Sequence, residues 1–288
     1  MSDQARILDQ GYRTYAEERG GVGHAVRTLT LFSLGRVLGL RRGFWPKVLP
    51  IAIIVISCLP AVVFVGMAAL LPEGLGDDVV DYGEYYGFIS SAIWLFAAFV
   101  APELLCTDRR TRMIGLYFAS PLDRMTYLAS KALAVVASLA VVTIGPPLLM
   151  LLAFTIEGSG PDGVGDVLAI LWRILVSGTV VAGVYTSLSL AIASLTDRNG
   201  FASAAVILAL FLSGAVASAL VDGAGASETF RVVDLLNIPL ELVLRIYDTA
   251  PPNFPEIATG TLVAANVAWT ALFLGIVVWR YRRLEVTR

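Results

Sequence analysis

The sequence predicts an all-α integral membrane protein that crosses a bilayer six times. Hydrophobic residues make up 57% of the 288 residues and charged residues only 15%, against roughly 25% charged in soluble domains. The apolar residues are gathered in six long stretches, each near or above the roughly 20 residues that a membrane-spanning α-helix needs. Basic residues are confined almost entirely to alternate connections between these stretches. Together these observations argue against a water-soluble fold.

The distribution of charge predicts how the six spans are oriented. The spans are assigned to residues 48–71, 86–106, 127–154, 164–195, 201–220 and 260–279. Of the 21 basic residues, all but Arg173, Arg231 and Arg245 lie in the two tails, in the connections after spans two and four, or, for Lys131, at the entry of span three. Because transfer of Lys and Arg across a bilayer is disfavoured, we expect these segments and both termini to be cytoplasmic. The basic residues are thus explained as topology determinants that lie near lipid headgroups, and nucleic-acid binding is not predicted.

Residues 22–42 predict an amphipathic helix on the membrane surface ahead of the first span. One face of this helix carries the apolar residues Val22, Val26, Leu29, Val37 and Leu40. The pattern is imperfect because Arg36 falls on the apolar face, and the alternative is an irregular basic tail. We expect residues 1–47 to form a cytoplasmic tail with this interfacial helix, and residues 48–288 to form a single six-span transmembrane domain.

The third, fourth and fifth spans carry signals for bending and close packing. The run Gly145-Pro146-Pro147 predicts a kink in the outer half of the third span, since two prolines remove two backbone donors. The fourth span has small-residue pairs at Gly178/Ala182 and Gly183/Ser187. The fifth span repeats small residues every four positions, at Ala205, Ala209, Ser213 and Ala217. This stripe serves either packing within the chain or contact between two copies.

Ionisable residues inside the spans are few. Arg173 lies about two turns inside the fourth span, where it either extends its side chain outward to water or contacts a transported substrate. Glu103, near the inner end of the second span, either extends its side chain to water or pairs with a basic residue of the amino-terminal helix, and the sequence leaves both alternatives open.

The last outer connection, residues 221–258, is long and contains an apolar segment that resembles a seventh span. Four charges and the central Pro239 argue against a crossing, and a seventh span would place the arginine-rich carboxyl terminus outside. We instead expect two short re-entrant helices, broken at Pro239, that are too short to span the membrane.

No catalytic site is predicted. His24 is the single histidine and lies in the amino-terminal tail, so zinc-protease and serine–histidine arrangements cannot be built within the spans. A glycine-rich phosphate loop ending in Gly-Lys-Ser/Thr is absent from the sequence. We therefore expect no cofactor, metal or ATPase site in this chain.

Residues 107–131, with the sequence TDRRTRMIGLYFASPLDRMTYLASK, form the most informative segment. Charged residues end the second span, a short apolar helix follows, and Ser120-Pro121-Leu122 then precedes Arg124 and Lys131 at the third span. In this order the segment resembles the permease subunits of type-2 ABC exporters, and the six-span plan extends that resemblance over most of the chain.

The resemblance implies that residues 113–119 form a coupling helix that contacts a separate ATP-binding subunit. The residues implied in this contact are Arg109, Arg110, Arg112, Ile114, Leu116, Tyr117, Phe118, Pro121 and Arg124. An apolar patch exposed to water is costly without a partner. The alternative is a helix that lies on the lipid surface, in which case the arginines only fix the orientation of the spans through the positive-inside rule.

The function expected from this resemblance is that of a permease subunit in the bacterial plasma membrane. It implies a dimer of this chain or of related permeases, with ATP and Mg²⁺ bound by the partner subunits. The compact outer side favours export or flipping of an amphipathic or hydrophobic substrate. A non-transporting six-span scaffold or assembly factor is the alternative, and a secondary transporter is disfavoured by the few charges at mid-membrane.

Overall fold

The computed structural model describes residues 20–40, 43–70, 81–158, 160–161, 163–248 and 252–283, and all elements named below lie within them. The α-helices are α1 (Val22–Val37), α2 (Trp45–Leu70), α3 (Tyr82–Arg110), α4 (Ile114–Phe118), α5 (Arg124–Thr143), α6 (Gly145–Glu157), α7 (Val164–Leu195), α8 (Asn199–Ser218), α9 (Ile238–Tyr247) and α10 (Thr259–Arg282). At the centre of the bundle, α3 packs against α2, α5, α7 and α8, and α7 also packs against α10.

The six predicted spans are confirmed. Among the described residues, helices long and apolar enough to cross a membrane cover Lys47–Leu70, Tyr82–Arg110, Arg124–Glu157, Val164–Leu195, Asn199–Gly223 and Thr259–Arg282. Several extend a turn or more beyond the apolar stretch that marked them. Hydropathy locates only the part of a helix suited to lipid, whereas backbone hydrogen bonding continues into polar residues at its ends.

The predicted amino-terminal helix is present as α1 and packs on α5 and α3. Leu29 and Val37 of the predicted apolar face are buried, whereas Val22 and Leu40 are exposed. The helix ends at Val37 rather than near residue 42, because Gly39 follows with a φ of 68° that only glycine adopts readily. Residues 1–19 and 41–42 of the predicted tail lie outside the described residues, and the domain boundary at residue 47 remains a prediction.

The kink predicted at Gly145-Pro146-Pro147 is confirmed as a break between α5 and α6 at Ile144. The prolines occupy the first turn of α6, where a missing backbone donor has no helical partner to lose. Gly178 of α7 lies against this break: a Cβ there would stand 2.3 Å from Cγ1 of Ile144. Thr143 donates a hydrogen bond to the Gly178 carbonyl at 3.0 Å. The small residue predicted for close packing therefore contacts the bend itself.

The long connection after α8 forms short helices and no seventh span among its described residues. A π-helical turn at Ala219–Gly223 continues α8, a 3₁₀ helix covers Glu228–Val233, and α9 follows. The break between the two short helices precedes Pro239, which instead lies in the first turn of α9. The break forms earlier because Asp234 accepts hydrogen bonds from the backbone nitrogens of Leu236 and Asn237, at 3.1 and 3.2 Å.

Candidate functional site

A short hairpin containing α4 connects α3 to α5 at one end of the bundle. This end, called the basic end below, carries Arg109, Arg110, Arg124, Arg280 and Arg282. The turn after α3 places Arg112 at a φ of 56°, a left-handed conformation that is uncommon for a residue with a side chain.

After Pro121, α5 begins at a capping box formed by Asp123. Its carboxylate accepts from the backbone nitrogen of Thr126 at 2.7 Å, while the Thr126 hydroxyl accepts from the Asp123 nitrogen at 2.8 Å. The Thr126 hydroxyl also donates to the Asp123 carboxylate at 2.6 Å, and this bond, together with the one from the Thr126 backbone nitrogen, holds the pKa of the Asp123 carboxyl below its usual value. The cap fixes where α5 begins and therefore how α4 is presented.

The apolar side chains of α4 differ in exposure, which corrects the expectation that all four face water. Leu116 is 65% exposed, whereas Ile114 is 8% exposed. Tyr117 and Phe118 are half-buried because their rings pack on Tyr127 of α5, with centroid distances of 5.5 and 6.1 Å. Burial raises the pKa of the Tyr117 hydroxyl, and the nearby Asp108 carboxylate adds to the rise. One face of α4 is thus anchored and the other, with Leu116, is open.

Beneath this anchored face lies a buried set of charged and polar groups that we call the Asp108 cluster: Arg36, Asp108, Tyr127 and Lys131. The Asp108 and Lys131 side chains have no exposed surface. Asp108 pairs with Arg36 of α1 at 2.7 Å and with Lys131 of α5 at 2.7 Å. The Tyr127 hydroxyl donates to the same carboxylate at 3.0 Å. One carboxylate on α3 therefore holds groups from α1 and α5.

Further polar contacts surround the Asp108 cluster. Lys131 donates to the Ser33 hydroxyl of α1 at 3.0 Å, and its Nζ lies 5.3 Å from the centre of the Tyr117 ring. Glu103 lies 3.7 Å from Nε of Arg36 and accepts from Asn199 at 3.3 Å. Of the two alternatives left open for Glu103, the structure shows the pairing with the amino-terminal helix. Two carboxylates balance two cations, as buried charges require.

Sequence reasoning missed Asp108 and Lys131 as partners, although one signal pointed to them. Arg36 interrupts the apolar face of α1, and the structure explains why: that face meets the carboxylates of α3 rather than lipid. Asp108 and Lys131 had been interpreted only as parts of the hairpin segment and of the charge pattern. A buried charge on an otherwise apolar face is a reason to search the spans for its counter-charge.

Arg109 and Arg124, both expected to flank an ATP-binding subunit, bond within the chain. The guanidinium of Arg109 donates to the Ser194 carbonyl at 2.6 Å and to the carbonyls of Ala193 and Thr196, at the carboxyl end of α7. Its side chain is 7% exposed and pairs with Asp197 at 3.1 Å. A cation here satisfies carbonyls that the helix end leaves without partners.

Arg124 is exposed and donates to the Arg282 carbonyl at 2.8 Å, at the end of α10. Arg110, Arg112 and Pro121 are also exposed. Between α1 and α4 lies a groove of about 620 Å³ lined in part by His24, Leu31, Phe32, Met113 and Tyr117.

The sites predicted within the spans have partners inside the chain. Arg173 is half-buried and donates to the Tyr247 carbonyl at 3.0 Å, at the carboxyl end of α9. This contact was not among the alternatives weighed from the sequence, which were extension to water or contact with substrate. It holds α9 against α7.

The small-residue stripe of α8 packs partly within the chain. Ala205, Ala209 and Ser213 are half-buried, and Ala217 is fully buried. Ser213 accepts a hydrogen bond from the Leu235 backbone nitrogen at 3.1 Å. The outer half of the stripe therefore supports the segment that precedes α9.

Metal chemistry has no support among the described residues, where no group of three or more His, Cys, Asp or Glu side chains is suited to hold an ion. The single carboxylate of the Asp108 cluster is engaged by Arg36 and Lys131, so its chemistry is that of a structural joint between helices.

Comparison with protein families agrees with the six-span helical architecture. A search among curated proteins finds no match. The model of the ABC-2 family transporter proteins matches residues 54–286, which include five complete spans, most of the first, and the α4 hairpin. The chain therefore belongs to the ABC-2 transporter family and is a multi-pass membrane component of a transport system.

Proposed function

We propose that this chain is the permease subunit of an ATP-driven transporter and that a separate ATP-binding subunit docks on α4. The observation that carries the proposal is the two-sided character of this helix. Leu116 extends outward with 65% of its surface exposed, while Tyr117 and Phe118 on the other side pack on Tyr127. An exposed leucine on a short anchored helix, flanked by Arg110 and Arg112, is suited to a protein partner.

Force applied to α4 has a defined route into the bundle. Movement of Tyr117 displaces the Tyr127 ring, whose hydroxyl bonds to Asp108. Asp108 in turn holds Arg36 of α1 and Lys131 of α5. Because the paired groups are buried, they resist separation and transmit displacement between helices rather than absorbing it. The Asp108 cluster is proposed to couple the docking helix to α1, α3 and α5.

The remaining parts of the proposal follow from the family and the charge pattern. The basic end faces the cytoplasm, which is consistent with the positive-inside rule. ATP and Mg²⁺ bind to the partner subunits, and two permease copies, identical or related, form the pathway. We propose that the complex exports an amphipathic substrate, or flips it, across a bacterial plasma membrane.

Substitution of Leu116 by aspartate tests the docking proposal. The genes adjacent to that of the permease are searched for an ATP-binding protein without membrane spans. Co-expression of the permease with that protein should give a complex that co-purifies and shows permease-dependent ATPase activity. We expect Leu116→Asp to reduce co-purification at least about tenfold, the effect of losing one buried apolar contact at an interface. Tyr117→Asp is a poorer test, since Tyr117 also packs within the chain.

Leu40→Asp is the matched control, because Leu40 is 64% exposed and lies at the far end of α1 from the groove beside α4. It should leave the complex intact. Equal co-purification of Leu116→Asp and wild type would exclude docking on α4. A wild-type chain that captures no ATP-binding subunit would favour the non-transporting scaffold.

A further inference from the structure

The opposite end of the bundle holds a cavity of about 600 Å³ between the first half of α3 and α9. This volume is within the roughly 300–1,000 Å³ of small-molecule sites. On α3 the lining runs from Gly83 to Trp94, about 16 Å along the helix axis. Leu240 and Leu244 of α9 form the facing wall, and Asn253 closes one side.

The chemistry of the lining is selective. Glu84 is the single charged residue among those that line the cavity, and it is exposed with no ion pair to another described residue. Phe88, which is 60% exposed, and Trp94 add two aromatic rings. A carboxylate and aromatic faces attract an organic cation and repel an anion. The leucines suit the apolar body of such a molecule.

The basic residues that lie on α9 or bond to it are engaged elsewhere. Arg245 pairs with Glu241 at 3.3 Å and donates to the carbonyls of Phe254 and Ile257. Arg173 donates to the Tyr247 carbonyl. Neither arginine lines the cavity, so no basic residue of the lining neutralises the charge of Glu84.

The cavity walls are held in place before any ligand binds. Trp94 donates from its indole nitrogen to the Tyr185 hydroxyl at 3.0 Å, and that hydroxyl donates to the Leu236 carbonyl at 2.9 Å. Asn237, in the lining, donates to Asp234 at 2.8 Å. A preformed site loses little conformational entropy on binding.

We infer that this cavity binds a monovalent organic cation with an apolar body, and that Glu84 selects its charge. The role of the site on a transport pathway rests on the function proposed above. Binding itself requires no ATP-binding subunit, so the two proposals fail independently.

The test uses two probes of nearly identical size and opposite charge, tetraphenylphosphonium and tetraphenylborate. Equilibrium binding of each is measured to the purified full-length permease in a neutral detergent. We expect tetraphenylphosphonium to bind at least about tenfold more tightly than tetraphenylborate. Glu84→Gln, which keeps the shape and removes the charge, should abolish most of this preference.

Two matched controls separate the site from general surface effects. Asp166→Asn removes an exposed carboxylate from the first turn of α7, outside the cavity, and should leave the preference unchanged. Gly87→Leu should block the cavity, because a Cβ at Gly87 meets no atom within 4 Å and extends into the lined space. Gly275→Leu makes the same change at an exposed position of α10 and should have no effect.

Equal affinity for the two probes, or an unchanged preference in Glu84→Gln, would overturn the inference. So would loss of a permease dimer in Gly87→Leu, since the cavity would then be an interface between copies. If the cation binds but no ATP-binding subunit associates with the permease, the binding site is supported and its role in transport is contradicted. If the ATP-binding subunit docks on α4 but the cation does not bind, the proposed function is supported and the cation site is contradicted.

Discussion

The two ends of the bundle both bury charged residues, but they use them differently. At the basic end, Asp108 of α3 bonds to Arg36 of α1 and Lys131 of α5, which are 72 and 23 positions away. At the opposite end, Glu241 pairs with Arg245 four residues later, and Arg231 pairs with Glu228 three residues earlier. Ion pairs at the basic end therefore join separate helices, whereas the ion pairs described at the other end lie within one connection. Arg173 of α7 attaches that connection to the bundle through a carbonyl rather than through an ion pair.

This difference is the reason why the proposed transmission of movement is assigned to the basic end. A contact between distant helices changes their relative position when it breaks, whereas a local contact changes only its own segment. The Asp108 cluster lies directly beneath the hairpin proposed to dock the ATP-binding subunit. The segment around α9 instead forms a wall of the cavity at the far end.

The largest effect is expected from Asp108→Asn, which leaves Arg36 and Lys131 with one carboxylate fewer in a buried site. Loss of one partner from a buried pair typically costs about 3–5 kcal/mol. The midpoint of thermal unfolding in detergent should fall accordingly. Asp108→Asn combined with Lys131→Met restores the balance of charge and should recover part of the loss. Independent, additive effects of the two substitutions would show that the groups do not interact.

A smaller and local effect is expected from Glu241→Gln. Glu241 is 1% exposed and accepts from the backbone nitrogens of Asn253 and Phe254, at 3.0 and 3.3 Å, as well as from Arg245. Removal of its charge weakens charge-assisted hydrogen bonds worth about 1.5–3 kcal/mol. Hydrogen exchange should rise in residues 252–258 and not in α1 or α5. Exchange that rises equally at both ends would remove the distinction between them.

The smallest effect on stability is expected from Tyr127→Phe, which keeps the ring and removes one hydrogen bond to Asp108. The cost should be about 1 kcal/mol. If the cluster transmits movement, the variant should still bind the ATP-binding subunit but give less permease-dependent ATPase activity. Ser138→Ala is a suitable control, because its buried hydroxyl donates to the Ala134 carbonyl of its own helix and bonds to no other helix in the described part of the chain. Equal ATPase activity in the two variants would assign Tyr127 a packing role alone.

Much of the fold was predictable because its signals are local. The lengths of the apolar stretches located the six spans, and Gly145-Pro146-Pro147 located the break in the third. The four charges around Pro239 argued against a seventh span. Small residues in α7 likewise marked the close approach at Gly178.

The site was less predictable because its contacts join distant positions. A single sequence does not reveal that Arg36 and Lys131 share the Asp108 carboxylate. The positive-inside rule already explained Arg109. Nothing else in the sequence indicated that its guanidinium bonds to carbonyls at the end of α7. The apolar pattern of α4 also does not distinguish the side that packs on Tyr127 from the side that carries Leu116.

Cysteine accessibility in intact cells tests most directly whether the α4 hairpin faces the cytoplasm. In a variant without Cys58 and Cys106, single cysteines replace Gly115 of α4 and Gly165 of α7, both exposed and free of neighbouring atoms. We expect a membrane-impermeant maleimide to modify Gly165→Cys in intact cells and Gly115→Cys only after permeabilisation. Modification of Gly115→Cys, but not of Gly165→Cys, in intact cells would contradict the orientation and the proposed docking of the ATP-binding subunit.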